Sequence, residues 1–356
     1  MCFSNLALAN RVFSGQAISS NTDYPTSVKP RTLAAIFVGF VKIMRHLILI
    51  LIFNTFLKST FGQTRPQIFT SDIDNFWIAY DSVKTTTDTT KQKEFIQRLY
   101  LDKATSGLKD FIIARQHSAK RHLNNILKNP KFWTSVRPHT LQIKSHTSDI
   151  ENLMIKFKIL YSNFKQPEVF FTIGCLNSGG TTTRNKILIG SEIASADSTV
   201  DATEVGSWLG GVFKLNTSVL SMVAHELGHT QQNGNNTNLL GNCIKEGACD
   251  FIAELLLDKP IQSPYMAYGK ANEKVLWELF KQDMYGQETK EWLYNGGQAP
   301  IGKADLGYYI GYVICKSYYE NASDKTKALK QIIELDFSKK SVVKFLKKSK
   351  YLDGGH

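Results

Sequence analysis

The sequence predicts a helix-rich α+β fold with one small antiparallel sheet. Three observations predict it. Stretches with apolar residues three and four apart recur through most of residues 64–335. Only two short runs are β-rich, residues 169–175 and 186–190. No internal repeat of solenoid period is present.

The first 63 residues do not read as part of this fold. Met44-Arg45-His46 is a short positive start, residues 47–53 are apolar, and Thr60-Phe61-Gly62 offers a cleavage site after Gly62. That is the pattern of a secretory signal peptide over 44–62, with 1–43 an upstream artefact of gene calling. Lys42, Arg45 and His46 sit inside the apolar stretch 33–57, where charge is costly in lipid. No cysteine lies near the cut, so a lipid-modified N-terminus is not expected. The expected location is exported, periplasmic or extracellular, and membrane-associated if the segment is not cleaved.

The rest is expected to be one catalytic unit, 63–356, with an N-terminal helical lobe over 63–165. Residues 72–83 carry Ile73, Phe76, Trp77 and Tyr80 on one stripe behind Ser71 as a cap. Residues 94–100, 106–127 and 150–161 continue the helical pattern. Within 166–356 come the two β-rich runs, joined across 177–185 by a Gly, Thr, Ser and Asn loop read as a hairpin. One of these strands would offer an edge to an extended peptide. The loop lacks GxxxxGK[ST], and no GxSxG occurs, which argues against a phosphate cradle and a serine hydrolase. Helices are expected again over 246–257, 271–283, 307–319 and 325–335.

The chemistry concentrates in His225-Glu226-Leu227-Gly228-His229, an HExxH motif. On a helix, residues four apart share a face, so His225 and His229 present two imidazoles to one zinc ion. Glu226 is placed to contact a metal-bound water rather than the metal. Asn216, Thr217 and Ser218 offer an N-cap upstream. A third histidine is missing: Asn235 stands where HExxHxxGxxH would require it. Glu246, beyond the loop 233–238, is the expected third ligand, and Glu254 the fallback. Asp250, one turn after Glu246, is placed to accept the free ring N–H of a ligand histidine. This set predicts Zn2+ as cofactor and hydrolysis by a zinc-activated water, with Glu226 as general base and then acid. A tyrosine hydroxyl would stabilise the oxyanion, Tyr308 first, with Tyr309 and Tyr312 as alternatives. His117, His122, His139 and His146 read as surface or packing residues.

On several stretches the chain resembles the bacterial predicted zinc-dependent proteases that carry a domain of unknown function and are gluzincin-like. These stretches are Ser106-Gly107-Leu108-Lys109-Asp110-Phe111, residues 171–181, Ile187-Leu188-Ile189-Gly190, the HExxH, Glu246-Gly247-Ala248, residues 292–296 and residues 305–312. The resemblance implies a zincin-like fold and peptidase activity. The leading expectation is an exported zinc metallopeptidase acting on a peptide or protein. The alternative is a binding or assembly protein of the cell envelope that keeps a zincin scaffold and cleaves nothing.

Formal net charge is +12, and +7 without residues 1–63. Six lysines fall between Lys339 and Lys350, interleaved with Val342, Val343, Phe345 and Leu346. That tail reads as a solvated helix face or a basic amphipathic helix making a peripheral envelope contact. No zinc-finger, RRM or helix-turn-helix signature is present, so no nucleic-acid partner is expected. Cys175, Cys243, Cys249 and Cys315 are expected to be buried free thiols in a chain large enough to build a core without disulfides.

Overall fold

Side-chain caps start eight of the described α-helices. A computed structural model describes residues 67–351, apart from 184, 216–217, 235–237 and 300–303. In chain order the described elements are β1 (Ile68–Phe69), α1 (Ser71–Val83), α2 (Thr89–Ile96), α3 (Ser106–Arg115), α4 (Ala119–Lys128), α5 (Pro130–Gln142), α6 (Thr147–Leu160), β2 (Glu168–Thr172), β3 (Gly180–Thr183), β4 (Lys186–Gly190), α7 (Ser191–Ala194), α8 (Ser207–Lys214), α9 (Val219–Gln231), α10 (Leu239–Leu257), α11 (Pro264–Ala271), α12 (Glu273–Asp283), α13 (Leu306–Glu320), α14 (Lys325–Ile333) and α15 (Lys339–Ser349). Arg65–His356 forms one unit by its internal contacts. The readings made for residues 1–43 and 44–62 lie outside the described residues.

The helix-rich α+β character is as expected, but the sheet is not antiparallel. Its order is β1-β2-β4-β3, with β1–β2 and β2–β4 parallel and β3–β4 antiparallel. The two β-rich runs are therefore parallel neighbours, Phe170 facing Leu188, and not the arms of a hairpin. The hairpin is β3–β4, with Thr183 facing Lys186. Gly-Thr-Thr-Thr shows no apolar alternation because β3 is half-buried throughout and packs no core face. Periodicity could not reveal it.

Two further boundaries move. The single helix expected over 106–127 is two, because Gln116 turns left-handed at φ 53° and Ser118 caps the second by accepting from the Arg121 N–H. The helix expected from 246 begins at Leu239, capped by Asn238 Oδ1, which accepts from the Gly241 N–H at 2.9 Å.

The core lies in two masses with α10 between them. Trp77, Trp133, Phe157 and Phe171 belong to the first, with the sheet and the N-terminal helices. Trp277, Phe280, Leu293 and Phe345 belong to the second. Ile252 and Leu256 of α10 join the first mass, and Ile244, Ala248 and Phe251 the second. Of the 19 residues in α10, 14 are buried, so its polar side chains are buried as well and need partners. The tail helix α15 also commits its apolar side: Val342, Phe345 and Leu346 are buried, and Phe345 stacks on Tyr318 at 4.3 Å.

Candidate metal centre

Helices α9 and α10 cross closely because Gly228 leaves room for Cys249; a Cβ on Gly228 would stand 2.9 Å from its Sγ. Ser218 starts α9 by accepting from the Ser221 N–H, while Asn216 and Thr217 lie outside the described residues. The crossing brings together residues 17 and 25 positions apart in sequence. His225 Nε2 lies 3.1 Å from His229 Nε2. Glu246 Oε2 lies 3.0 Å from His229 Nε2 and 3.6 Å from His225 Nε2.

The outer partners of the two rings decide what these three atoms present. His225 Nδ1 lies 2.8 Å from Asp250 Oδ1, and Asp250 Oδ2 accepts from the Tyr265 hydroxyl. His229 Nδ1 lies 2.9 Å from Gln232 Oε1, whose amide nitrogen donates to the Lys245 carbonyl. Gln232 must therefore present its oxygen to His229, and a carboxylate can only accept. Both rings carry the proton on Nδ1, assigned from this network, and both Nε2 lone pairs face Glu246. Three lone-pair donors converge on one point.

Such an arrangement repels itself unless a proton or a cation sits inside it. The ionisation preferences carry the same signature. Burial opposes charge on His225, but Asp250 and Glu246 outweigh it and hold the imidazole well above its usual value. His229 is raised against its own burial, by Glu246. Glu246, despite burial, is held well below the usual carboxylate range by His229 and His225. Donors about 2.1 Å from a tetrahedral zinc ion stand about 3.4 Å from one another. Separations of 3.1, 3.0 and 3.6 Å fit that figure.

Cys249 competes for the third place: its thiol and the two imidazoles lie within 4.8 Å of one another. Burial, together with Glu246, Glu226 and Asp250, pushes that thiol far above its normal range. Glu246 Oε2 lies within 3.6 Å of both Nε2 atoms, and the two histidines hold it ionised. Its second oxygen, Oε1, accepts from the Tyr294 hydroxyl at 2.5 Å, which leaves Oε2 for the centre. Glu254 is engaged elsewhere, with Tyr312 and Lys316.

The centre opens into a cleft of about 790 Å³, lined among others by Arg115, Thr181, Trp208, Lys245, Asn295 and Tyr308. Glu226 borders it. Its Oε2 is buried without a hydrogen-bond partner among the described residues, and burial raises its pKa against the pull of both histidines. Gly180 of β3 backs it so closely that a Cβ would fall 2.5 Å from Glu226 Oε1. The rim ahead of β3 is tied down by Glu192, which accepts from the N–H groups of Gly174 and Leu176; burial pushes its carboxyl up to about 7. Tyr308 lies in the cleft with its ring 6.0 Å from that of His225. Tyr309 and Tyr312 turn away, to Glu273 and Glu254. His117 and His122 are buried among aromatic rings, and all four described cysteines are free and buried.

Sequence reasoning thus placed His225, Glu226, His229, Glu246, Asp250 and Tyr308 around one cleft. It missed Gln232, Tyr265, Tyr294 and Glu192. Gln232 had a signal, since it follows His229 by three residues at the helix end. The others are joined only by the fold. The expected role of Asp250 is checkable. Asp250→Ala should weaken zinc affinity 10–100-fold (an order-of-magnitude expectation) in a chelator competition, because His225 loses the group that fixes its tautomer.

Fold and site together define a helix-rich α+β protein with a buried histidine–carboxylate centre at the foot of an open cleft. A model of the gliding motility protein GldB family, labelled GldB_lipo, matches residues 64–353, most of the chain. The chain belongs to that family. No curated protein and no solved structure matches it.

This membership corrects the sequence reading in two respects. The chain falls in a motility family and not among the zinc-dependent proteases it resembles in its motifs. The metallopeptidase function drawn from that resemblance is overturned with it. The physical reason is that HExxH is a device for presenting two imidazoles and a carboxylate, and such a site is compatible with binding as well as turnover. The family label marks a lipoprotein, which runs against the expectation of an N-terminus without lipid and is in keeping with an exported, membrane-associated protein. No helix among the described residues is long and apolar enough to cross a membrane.

Proposed function

We propose that the chain is a non-catalytic binding or assembly protein of the cell envelope, serving the gliding machinery through a zinc-holding, zincin-like scaffold. His225, His229 and Glu246 hold the ion, Asp250 and Gln232 orient the two rings, and Tyr294 fixes the third ligand. The observation that carries the metal is the convergence of three lone pairs at 3.0–3.6 Å with both Nδ1 atoms engaged elsewhere. Family membership supports the envelope role. The HExxH helix lying beside β3, the last strand of the described sheet, supports the zincin-like reading of the scaffold. The three side chains line the cleft, so an ion held there would be open to an oxygen donor from a bound partner. Arg115 and Lys245 in the cleft wall favour an acidic group there, and Tyr308 supplies a hydroxyl.

Glu226→Gln separates binding from turnover. The exchange keeps size and removes the proton acceptor. Expected are an unchanged zinc content by elemental analysis and gliding indistinguishable from wild type in a complemented deletion strain. A variant that keeps its zinc and stops gliding would defeat the non-catalytic reading.

A further inference from the structure

We propose that the outward face of α15 is a docking surface for an anionic lipid bilayer, held by charge alone and without insertion. At about 100° per residue, Lys347, Lys340 and Lys344 fall within roughly 60° of one another, with Lys339 and Lys348 on either flank. The apolar residues of the same helix lie on the opposite side and are spent in the core: Val342, Phe345 and Leu346 are all buried. The sequence alone permits an amphipathic helix that dips into a membrane. The fold removes that option and leaves the lysines exposed.

These cations are not serving the fold. Among the described residues, Lys339, Lys340, Lys344, Lys347, Lys348 and Lys350 make no ion pair, in common with most described lysines; what sets them apart is that the first five share one helix and all six are exposed. No acidic residue lies within α15. The acid just before it, Asp336, is occupied at the helix start, accepting from the Ser338 N–H and the Ser341 hydroxyl. Unpaired like charges along one exposed face cost self-repulsion, which a surface of opposite sign relieves. Aromatic residues that stack on bases are missing from this lysine face, so it does not fit single-stranded nucleic acid. A row of lysines on a convex helix, on a protein whose family label marks a lipoprotein, fits phospholipid headgroups.

The test is co-sedimentation of unlipidated residues 63–356, which lack the apolar stretch 33–57, with vesicles. Wild type should bind vesicles containing phosphatidylglycerol, bind pure phosphatidylcholine vesicles far less, and be released by raising salt from about 0.05 M to about 0.5 M. The triple variant Lys340→Gln, Lys344→Gln, Lys347→Gln should lower partitioning on the order of a hundredfold. Its zinc content and unfolding temperature should stay unchanged, since these side chains are exposed and distant in sequence from the metal donors. Equal binding to neutral vesicles, salt-insensitive binding or an unaffected triple variant would each overturn the proposal. Failure here leaves the metal reading intact, because zinc content is measured separately.

Discussion

His225→Ala is expected to abolish stoichiometric zinc binding and to lower thermal stability sharply. The substitution removes one of three converging donors. It also leaves Asp250, 2% exposed, with Tyr265 as its remaining side-chain partner. A buried carboxylate stripped of its cationic or N–H partner is strongly destabilising. The proposed metal would add to this by mass action: at free zinc about a thousandfold above Kd, binding would contribute about 4 kcal/mol. For a folded unit of this size that loss corresponds to a fall of roughly 7 °C in the unfolding midpoint. Elemental analysis and calorimetry on the same samples check both parts. Full zinc content in His225→Ala would refute the assignment of this ligand. Zinc lost without any fall in stability would show that the metal does not stabilise the fold.

The second large effect lies away from the ligands, where α10 crosses α13. The two backbones meet at Gly247 and Gly311. A Cβ on Gly311 would lie 1.7 Å from the Cys243 carbonyl oxygen, and one on Gly247 would lie 2.0 Å from the Tyr312 nitrogen. These neighbours are backbone atoms and cannot swing aside. Gly311→Ala should therefore push the helices apart and cost about 3 kcal/mol or more, at the upper end for overpacking. Because Glu246 sits on the displaced helix, zinc affinity should fall as well. Gly211→Ala, in α8, is the control: nothing lies within 4 Å of its Cβ. That change should stabilise the chain by about 0.5–1 kcal/mol through helix propensity alone. Urea unfolding of the two variants checks the contrast. Equal stability would show that the helix crossing is looser than the geometry requires.

The two sites also mark where sequence legibility ends. HExxH spacing is set within one helix, so His225 and His229 could be paired from the chain alone. Glu246 and Asp250 were reachable because a loop and a returning helix leave few places for a third donor. Gly247 and Gly311 read as ordinary helix glycines, since no local rule shows that two distant backbones touch there. Tyr294 and Tyr265 belong to the same group. Their hydroxyls reach Glu246 and Asp250 across 48 and 15 positions, by the path the chain takes and not by any spacing.

By itself, the sequence determined the helical class, the HExxH pair and the charge of the tail, because each follows from periodicity or composition over short range. Tertiary structure alone decided the mixed pairing of the sheet, the approach of Glu246 to both histidines while Glu254 turns to Tyr312 and Lys316, and the burial of the apolar side of α15. Those outcomes depend on which surfaces lose water when distant segments pack. Burial sets the protonation of a thiol, the tautomer of a histidine and the reach of a lysine, and it is a property of the folded whole.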